Sequence, residues 1–413
     1  MPEVKFVVAK NLTGKGHEQR QRAFIDHLKN EAEVTELYFV GSGRPPGKQL
    51  PKDTPLDREF PGITWKYGNC GIDYLHAATQ LLKLPALRQS RFEFADFLRQ
   101  YRPIGLWADF EFVACGGAQK YKAQKRPGDV PIFTQRVDHH SAFLSRSVPR
   151  PDTPLRNVFT DLFLSTFCKA DRYHGFHFKR YEAGRPDLVI DTPVIQREIR
   201  DRVREGLVYR GRHILGYLPG YDLDVIEQLV MPYTDRPWIV YHQDVKNTET
   251  PLPHLTFKPL AFDQEYLNDL STCFGAVVTT GFQLPAELLY MKKYFVGIIQ
   301  RGQPEQSYNA AALRDIDVPV FDRLTSGSME RVNFLFKNEH DRLANICETD
   351  MEQVYPDNTK EIVQDFVERC LRAQRRKRAT GVPQLTAESF EALPEVAIDV
   401  VDRSPSWSSS FSA

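Results

Sequence analysis

The sequence predicts an α/β protein built from two doubly wound, Rossmann-like domains that face a central cleft. Three observations carry that expectation. Short β-rich runs alternate with amphipathic helical stretches, the rhythm of parallel sheets covered by helices on both faces. The rhythm runs through the first half of the chain and restarts near His213. A chain of 413 residues is long for one domain and gives each of two enough length to bury a core.

In the first half, Val4 to Ala9 reads as a strand, followed by a turn at Gly14 and Gly16. A helix from about His17 to Leu28 places Phe24, Ile25 and Leu28 on its buried face. Val34 to Val40 is a second strand, closed by Gly41-Ser42-Gly43, and the polar, Pro-bearing stretch from Arg44 to Pro61 reads as a loop. Asp73 to Leu84 and Phe92 to Tyr101 read as helices, and Ile104 to Asp109 and Val130 to Arg136 as strands.

The second half opens with the strand His213 to Leu218 and the helix Asp222 to Val230. Trp238 to Tyr241, Ala276 to Thr279 and Tyr294 to Ile299 are further strands, with helices at Asp263 to Ser271 and Leu284 to Met291. The charged segment Arg197 to Arg204 is expected to carry the crossing between domains spanning 1–205 and 206–360. Glu361 to Lys377 is a last amphipathic helix, and the Pro- and Ser-bearing segment 379–413 reads as a disordered tail.

Composition narrows the function. Lys plus Arg and Asp plus Glu both number 54, so no global field points to nucleic acid. The six cysteines are scattered with no C-x-x-C pair, which argues for reduced thiols and against zinc or a disulfide framework. The first strand begins at Val4, no signal-peptide pattern precedes it, and no apolar run approaches the roughly 20 residues that span a bilayer. A cytoplasmic protein, at most peripheral to a membrane, is the expectation.

In open α/β sheets, ligands bind at the carboxyl ends of the strands. Thr13-Gly14-Lys15-Gly16-His17 follows the first strand, so His17 could remove a proton from an acceptor hydroxyl there. Asp109-Phe110-Glu111 ends another strand. Asp109 could orient an imidazole, or the segment could simply cap a helix. His139 and His140 follow the strand ending at Arg136, and alternation along a strand lets at most one enter the cleft. Asp138-His139-His140 could bind a metal, but no further His or acid stands at zinc-ligand spacing, so no metal site is expected.

The strongest pattern lies in the second half. Thr280-Gly281-Phe282-Gln283-Leu284-Pro285-Ala286-Glu287 is a glycine turn into a helix, and the next strand is followed by Gln303-Pro304-Glu305-Gln306-Ser307-Tyr308-Asn309-Ala310. Free helix N-termini suit a diphosphate, a Glu can accept both ribose hydroxyls, and a Gln/Glu pair can hold sugar hydroxyls.

Residues Ala276 to Leu313 resemble the donor site of GT-B glycosyltransferases. The resemblance is closest to the group containing the peptidoglycan lipid-intermediate GlcNAc transferase. It extends through Gly14-x-Gly16-His17, Ala108 to Glu111, His139-His140 and His213 to Pro219, and so covers most of residues 1–375. It implies that Glu287 binds ribose, that Glu305 and Gln306 face the donor sugar, and that Asn309 is the helix-start Asn. It also implies that helix 361–378 returns to the first domain. Two departures stand out: Pro285 where relatives carry Ser or Thr, and Thr280 where they often carry a second Gly.

The expected chemistry is therefore inverting, metal-independent transfer of a sugar from a UDP-type donor to an acceptor hydroxyl. The donor is a co-substrate, and no cofactor is expected. His17 would be the base, oriented by Asp109. Gly281, Phe282, Gln283, Glu287, Gln303, Glu305, Gln306 and Asn309 would hold the donor. Gly14, Gly16, Glu111, His139 and His140 would line the acceptor side. A GT-B-like epimerase and a silent nucleotide-sugar-binding protein are the alternatives. The acceptor, whether glycan, lipid-linked or small, is not legible. The basic segment Gln119 to Arg126, read as a loop, and Arg372 to Arg378 suggest contact with an anionic acceptor or surface.

Overall fold

A computed structural model describes residues 4–12, 15–31, 33–44, 56–62, 67–68, 71–72, 84–167, 169–261, 263–300, 303–338 and 350–379. In chain order the first half supplies β1 (Lys5–Asn11), α1 (Lys15–Asn30), β2 (Glu36–Ser42), β3 (Arg58–Phe60) and the hairpin β4 (Tyr67–Gly68) with β5 (Gly71–Ile72). Then come α2 (Leu84–Tyr101), β6 (Gly105–Asp109), α3 (Phe112–Ala123), β7 (Phe133–Val137), a 3-10 turn at His139–Leu144, α4 (Pro154–Phe167), β8 (Arg172–Phe176) and β9 (Leu188–Asp191). The crossing helix is α5 (Arg197–Arg204). After it follow β10 (Ile214–Tyr217), α6 (Leu223–Val230), β11 (Trp238–His242), β12 (Glu249–Leu252), β13 (Leu255–Pro259), α7 (Gln264–Thr272), β14 (Gly275–Thr279) and α8 (Gln283–Tyr290). The chain ends with β15 (Tyr294–Ile298), α9 (Pro304–Arg314), β16 (Val320–Phe321), α10 (Ser326–Asn338), α11 (Met351–Val354) and α12 (Thr359–Ala379).

The first sheet has the order β3-β2-β1-β6-β7-β8-β9 and is parallel throughout. The second has the order β12-β13-β11-β10-β14-β15-β16, parallel except for the edge pair β12–β13. Each order reverses beside its first strand, at β1/β6 and at β10/β14, and this reversal opens a ligand crevice at the carboxyl edge. The central strands are apolar on both faces because helices cover both: Phe6 to Ala9, Ala276 to Val278 and Phe295 to Val296 are all buried.

α12 lies against the first sheet, with the Phe366 ring 5.3 Å from both Phe6 and Trp107. Gly105 makes that approach possible, since a Cβ there would sit 2.6 Å from Cys370 Sγ and the Phe6 ring. The crossing helix α5 is locked by buried arginines. Arg200 donates to Glu352 Oε2 and the Tyr355 carbonyl at 2.8 Å each, and Arg202 to Asn268 and Ser271 at 2.6 and 3.0 Å.

Several elements differ from the sequence reading. The supposed loop 44–61 contains β3, an edge strand too short and too charged to show a period. β8, β9, β12, β13 and β16 were likewise unread, being short or interrupted by Pro and polar residues. The helix expected at Asp73 to Leu84 lies outside the described residues up to its last position, and α2 runs unbroken from Leu84. The segment 119–126 is a loop only at its end: α3 continues to Ala123, burying Tyr121 and pairing Lys122 with Asp171, and Gln124 to Arg126 follow it. The expected tail falls outside the described residues. Among those described, no helix is long and apolar enough to cross a membrane.

Candidate active site

The carboxyl edges of the two sheets meet through side chains from opposite domains. Glu305, in the first turn of α9, reaches the 3-10 turn after β7. Its Oε1 lies 2.9 Å from His139 Nε2 and its Oε2 lies 3.3 Å from His140 Nε2. Burial alone would raise the Glu305 carboxyl, but the two imidazoles outweigh it and hold the group well below the usual carboxylate range.

Both histidines enter the cleft, against the expectation that only one could. Alternation does not apply, because they sit on a 3-10 turn and not on the strand. Asp138 caps that turn, accepting from Ser141 N–H at 2.7 Å, and is held by buried Arg136 at 2.6 and 3.0 Å. Burial opposes the Asp138 charge, yet Arg136 keeps its carboxyl well below the usual range. Each imidazole lies flat on an aromatic ring. His140 stacks on Phe110 at 3.7 Å and 9°, and His139 on Phe282 at 4.8 Å and 5°. Phe110 holds its ring there with φ 46°, a left-handed conformation that costs an L-residue about 1–2 kcal/mol.

The residues expected at the donor side separate into two groups. Gly281 opens onto space, with nothing within 4 Å of an added Cβ, and α8 starts there without a side-chain cap. Gln303 and Glu305 are partly exposed at the start of α9, which also lacks a side-chain cap. Gln306, Asn309 and Glu287 instead are buried and engaged within the protein.

Gln306 Oε1 accepts from Gln300 N–H at 2.9 Å and from Thr280 Oγ1 at 3.3 Å. Its Nε2 donates to Gln303 and Gln300 at 2.9 and 3.2 Å. The Thr280 hydroxyl, a departure from the family pattern, is thereby satisfied, and Gln306 ties the loop together from beneath. Asn309 Nδ2 donates to the Thr280 carbonyl at 3.2 Å. Glu287 Oε1 accepts from Gln283 at 2.8 Å and from Gln196 at 2.6 Å. Burial raises its carboxyl to about 7 against the pull of those two amides.

On the first-domain side, Asp109 is fully buried at the end of β6, in register with Lys10. Glu111 is not a cleft residue: it caps α3, accepting from Ala114 N–H and from Ser42 Oγ. Its burial raises the carboxyl above the usual range. Gly14 lies outside the described residues. Gly16 and His17 fall in the first turn of α1, directly after β1, and their surroundings lie outside the described side chains.

Sequence reasoning missed Asp138 as the carboxylate behind the histidines, Gln196 as the partner of Glu287, and His177. His177 is fully buried beside Phe143 at 6.0 Å, and burial followed by the nearby His139 charge depresses it to about 3. The Arg136-x-Asp138 spacing was the available signal for the first. For the other two there was none.

Two facing Rossmann-like domains with a donor-type loop on the second define a GT-B glycosyltransferase fold. The sequence matches the family model for glycosyl transferase family 1 over residues 5–337, and the chain belongs to that family and is a glycosyltransferase. No curated protein matches it by sequence. Among solved structures it is similar to MurG of Acinetobacter baumannii, at 13% identity and TM-score 0.55 over 88% of this chain and 99% of that one. A UDP-glucosyltransferase from Polygonum tinctorium capable of glucosylating indoxyl matches at 15% identity and TM-score 0.58, covering 90% and 99%. The UDP-GlcNAc 2-epimerase of Neisseria meningitidis, bound to UDP-GlcNAc, matches at 8% and 0.51, covering 89% and 100%.

Proposed function

We propose that the protein transfers a sugar, with inversion and without a metal, from a UDP-linked donor on the second domain to an acceptor hydroxyl presented by the first. The observation that carries this reading is Glu305 meeting His139 and His140 between the two carboxyl edges, beside the uncapped start of α8. The donor diphosphate would lie at Gly281 and the first N–H groups of α8, which take up the charge developing on the leaving group. Glu305 and Gln303 would hold sugar hydroxyls. Glu287 would accept the ribose hydroxyls once Gln196 and Gln283 release it. His17 would remove the acceptor proton, with Asp109 at the neighbouring strand end as its orienting carboxylate.

UDP is favoured because the solved relatives named above include a UDP-glucosyltransferase and an epimerase bound to UDP-GlcNAc. Peripheral contact with an anionic surface is part of the proposal. Lys125, Arg126, Arg372, Arg375 and Arg376 are exposed near the amino edge of the first sheet, the end away from the cleft, where Gln374 donates to the Pro131 carbonyl.

A thermal-shift panel of nucleotides and nucleotide sugars, followed by product analysis, tests the reading. The expected result is stabilisation by UDP-type ligands and UDP release only when an acceptor is supplied. Conversion of the donor alone into an isomeric UDP-sugar would replace it with the epimerase reading.

A further inference from the structure

We propose that His139, His140 and Glu305 form a binding site for one divalent transition-metal ion of the zinc type, clasping the two domains across the cleft. One ligand atom from each of the three residues lies within 4.8 Å of the others. Ligands of a single zinc ion stand about 2.0–2.2 Å from it and hence roughly 3.4 Å from one another. The contacts of 2.9 and 3.3 Å to Glu305 are already near that separation. Two imidazoles and one carboxylate suit Zn²⁺, Ni²⁺ or Fe²⁺ and are a poor set for Mg²⁺ or Ca²⁺.

The rings are held in place to coordinate. Stacking on Phe282 and Phe110 fixes both ring planes, and the 3-10 turn turns both Nε2 atoms toward Glu305. Behind His140, Asp138 Oδ1 lies 4.0 Å from Nδ1, beyond hydrogen-bond reach, and adds a negative charge close to the site. His139 and His140 are 5% and 8% exposed while the Glu305 side chain is 29% exposed, so solvent reaches the cluster mainly at Glu305. Three protein ligands with one open side leave a fourth position for a water or ligand oxygen.

Spacing along the chain hides this site, because the third ligand arrives from the other domain. An ion bound there would hold the cleft closed. It would also exclude the donor sugar, and that consequence alone rests on the reading of Glu305 given above.

The test uses the full chain, stripped with a chelator and free of nucleotide, so failure of donor binding does not affect it. Calorimetric titration with Zn²⁺ should show one tight equivalent. That affinity should weaken at least about 100-fold in the His139→Ala/His140→Ala double variant, since outer-sphere losses alone reach that size. Zn²⁺ should raise the thermal midpoint of the wild type but not of Glu305→Gln, which keeps the shape of the side chain. Co²⁺ should give visible ligand-field bands without the near-ultraviolet thiolate bands that cysteine ligation adds. Equal affinity in wild type and double variant, thiolate bands, or no uptake by the wild type would each overturn the proposal.

Discussion

His139 Nε2 stands 2.9 Å from Glu305 Oε1, joining a turn of the first domain to the opening turn of a helix in the second. The contact keeps the Glu305 carboxyl well below the usual carboxylate range against the effect of its burial. Glu305→Gln keeps the shape and removes the charge. With a hydrogen bond to a charged group contributing about 1.5–3 kcal/mol, kcat/KM should fall roughly 10- to 150-fold. UDP binding by calorimetry should stay near wild type. An equal loss in UDP affinity would mean that Glu305 holds the nucleotide and not the sugar.

Glu287 predicts a pH dependence. Its folded value, raised by burial to about 7, lies above its ordinary 4.5. Its contribution to stability is therefore complete below about 4.5 and is lost as pH rises through 7, by about 3 kcal/mol in all. Glu287→Gln should flatten that part of the profile when urea midpoints are compared at pH 5 and pH 8. Identical slopes in variant and wild type would show that the carboxyl is not raised.

The same residue carries the ribose assignment. Glu287→Ala should weaken UDP binding by about 1.5–3 kcal/mol. Unchanged affinity in a folded variant would remove Glu287 from the donor site and leave it a structural partner of Gln196.

His17→Ala should lower turnover about 100-fold or more while leaving UDP affinity intact, and Asp109→Asn should act in the same direction by less. Steady-state kinetics beside calorimetry separates the two effects. Normal turnover in His17→Ala would move the base to the His139–His140 turn.

Arg200 tests the crossing. Its guanidinium is 2% exposed between Glu352 and the Tyr355 carbonyl, and Glu352 also pairs with Arg204 at 3.1 Å. Removing one partner of a buried pair costs about 3–5 kcal/mol. Glu352 keeps a third of its side chain in water, which reduces the figure, so Arg200→Ala should lower unfolding free energy by about 2 kcal/mol. Denaturant titration reads it, and a wild-type midpoint in the variant would mean the bridge contributes nothing.

The sequence by itself determined the alternation of strands and helices, the restart of the second domain near His213, and the two polar loops after β14 and β15. Those features are local. A fully buried strand such as Ala276-Val277-Val278 must be apolar on both faces wherever it sits, and a glycine turn before a helix is written in adjacent residues. Short edge strands such as β3 and β9 were illegible because three or four residues hold no period. Only the tertiary structure decided which polar residues face the cleft. Gln306 and Asn309 carry the same local signature as Glu305, yet Thr280 and Gln300 absorb them from within the domain. Glu305 is instead met by two histidines some 165 positions earlier in the chain, on a turn whose geometry no alternation rule describes. A side chain's partner is set by which loops arrive at the same sheet edge, and that depends on the packing of both domains, which spacing along one chain does not encode.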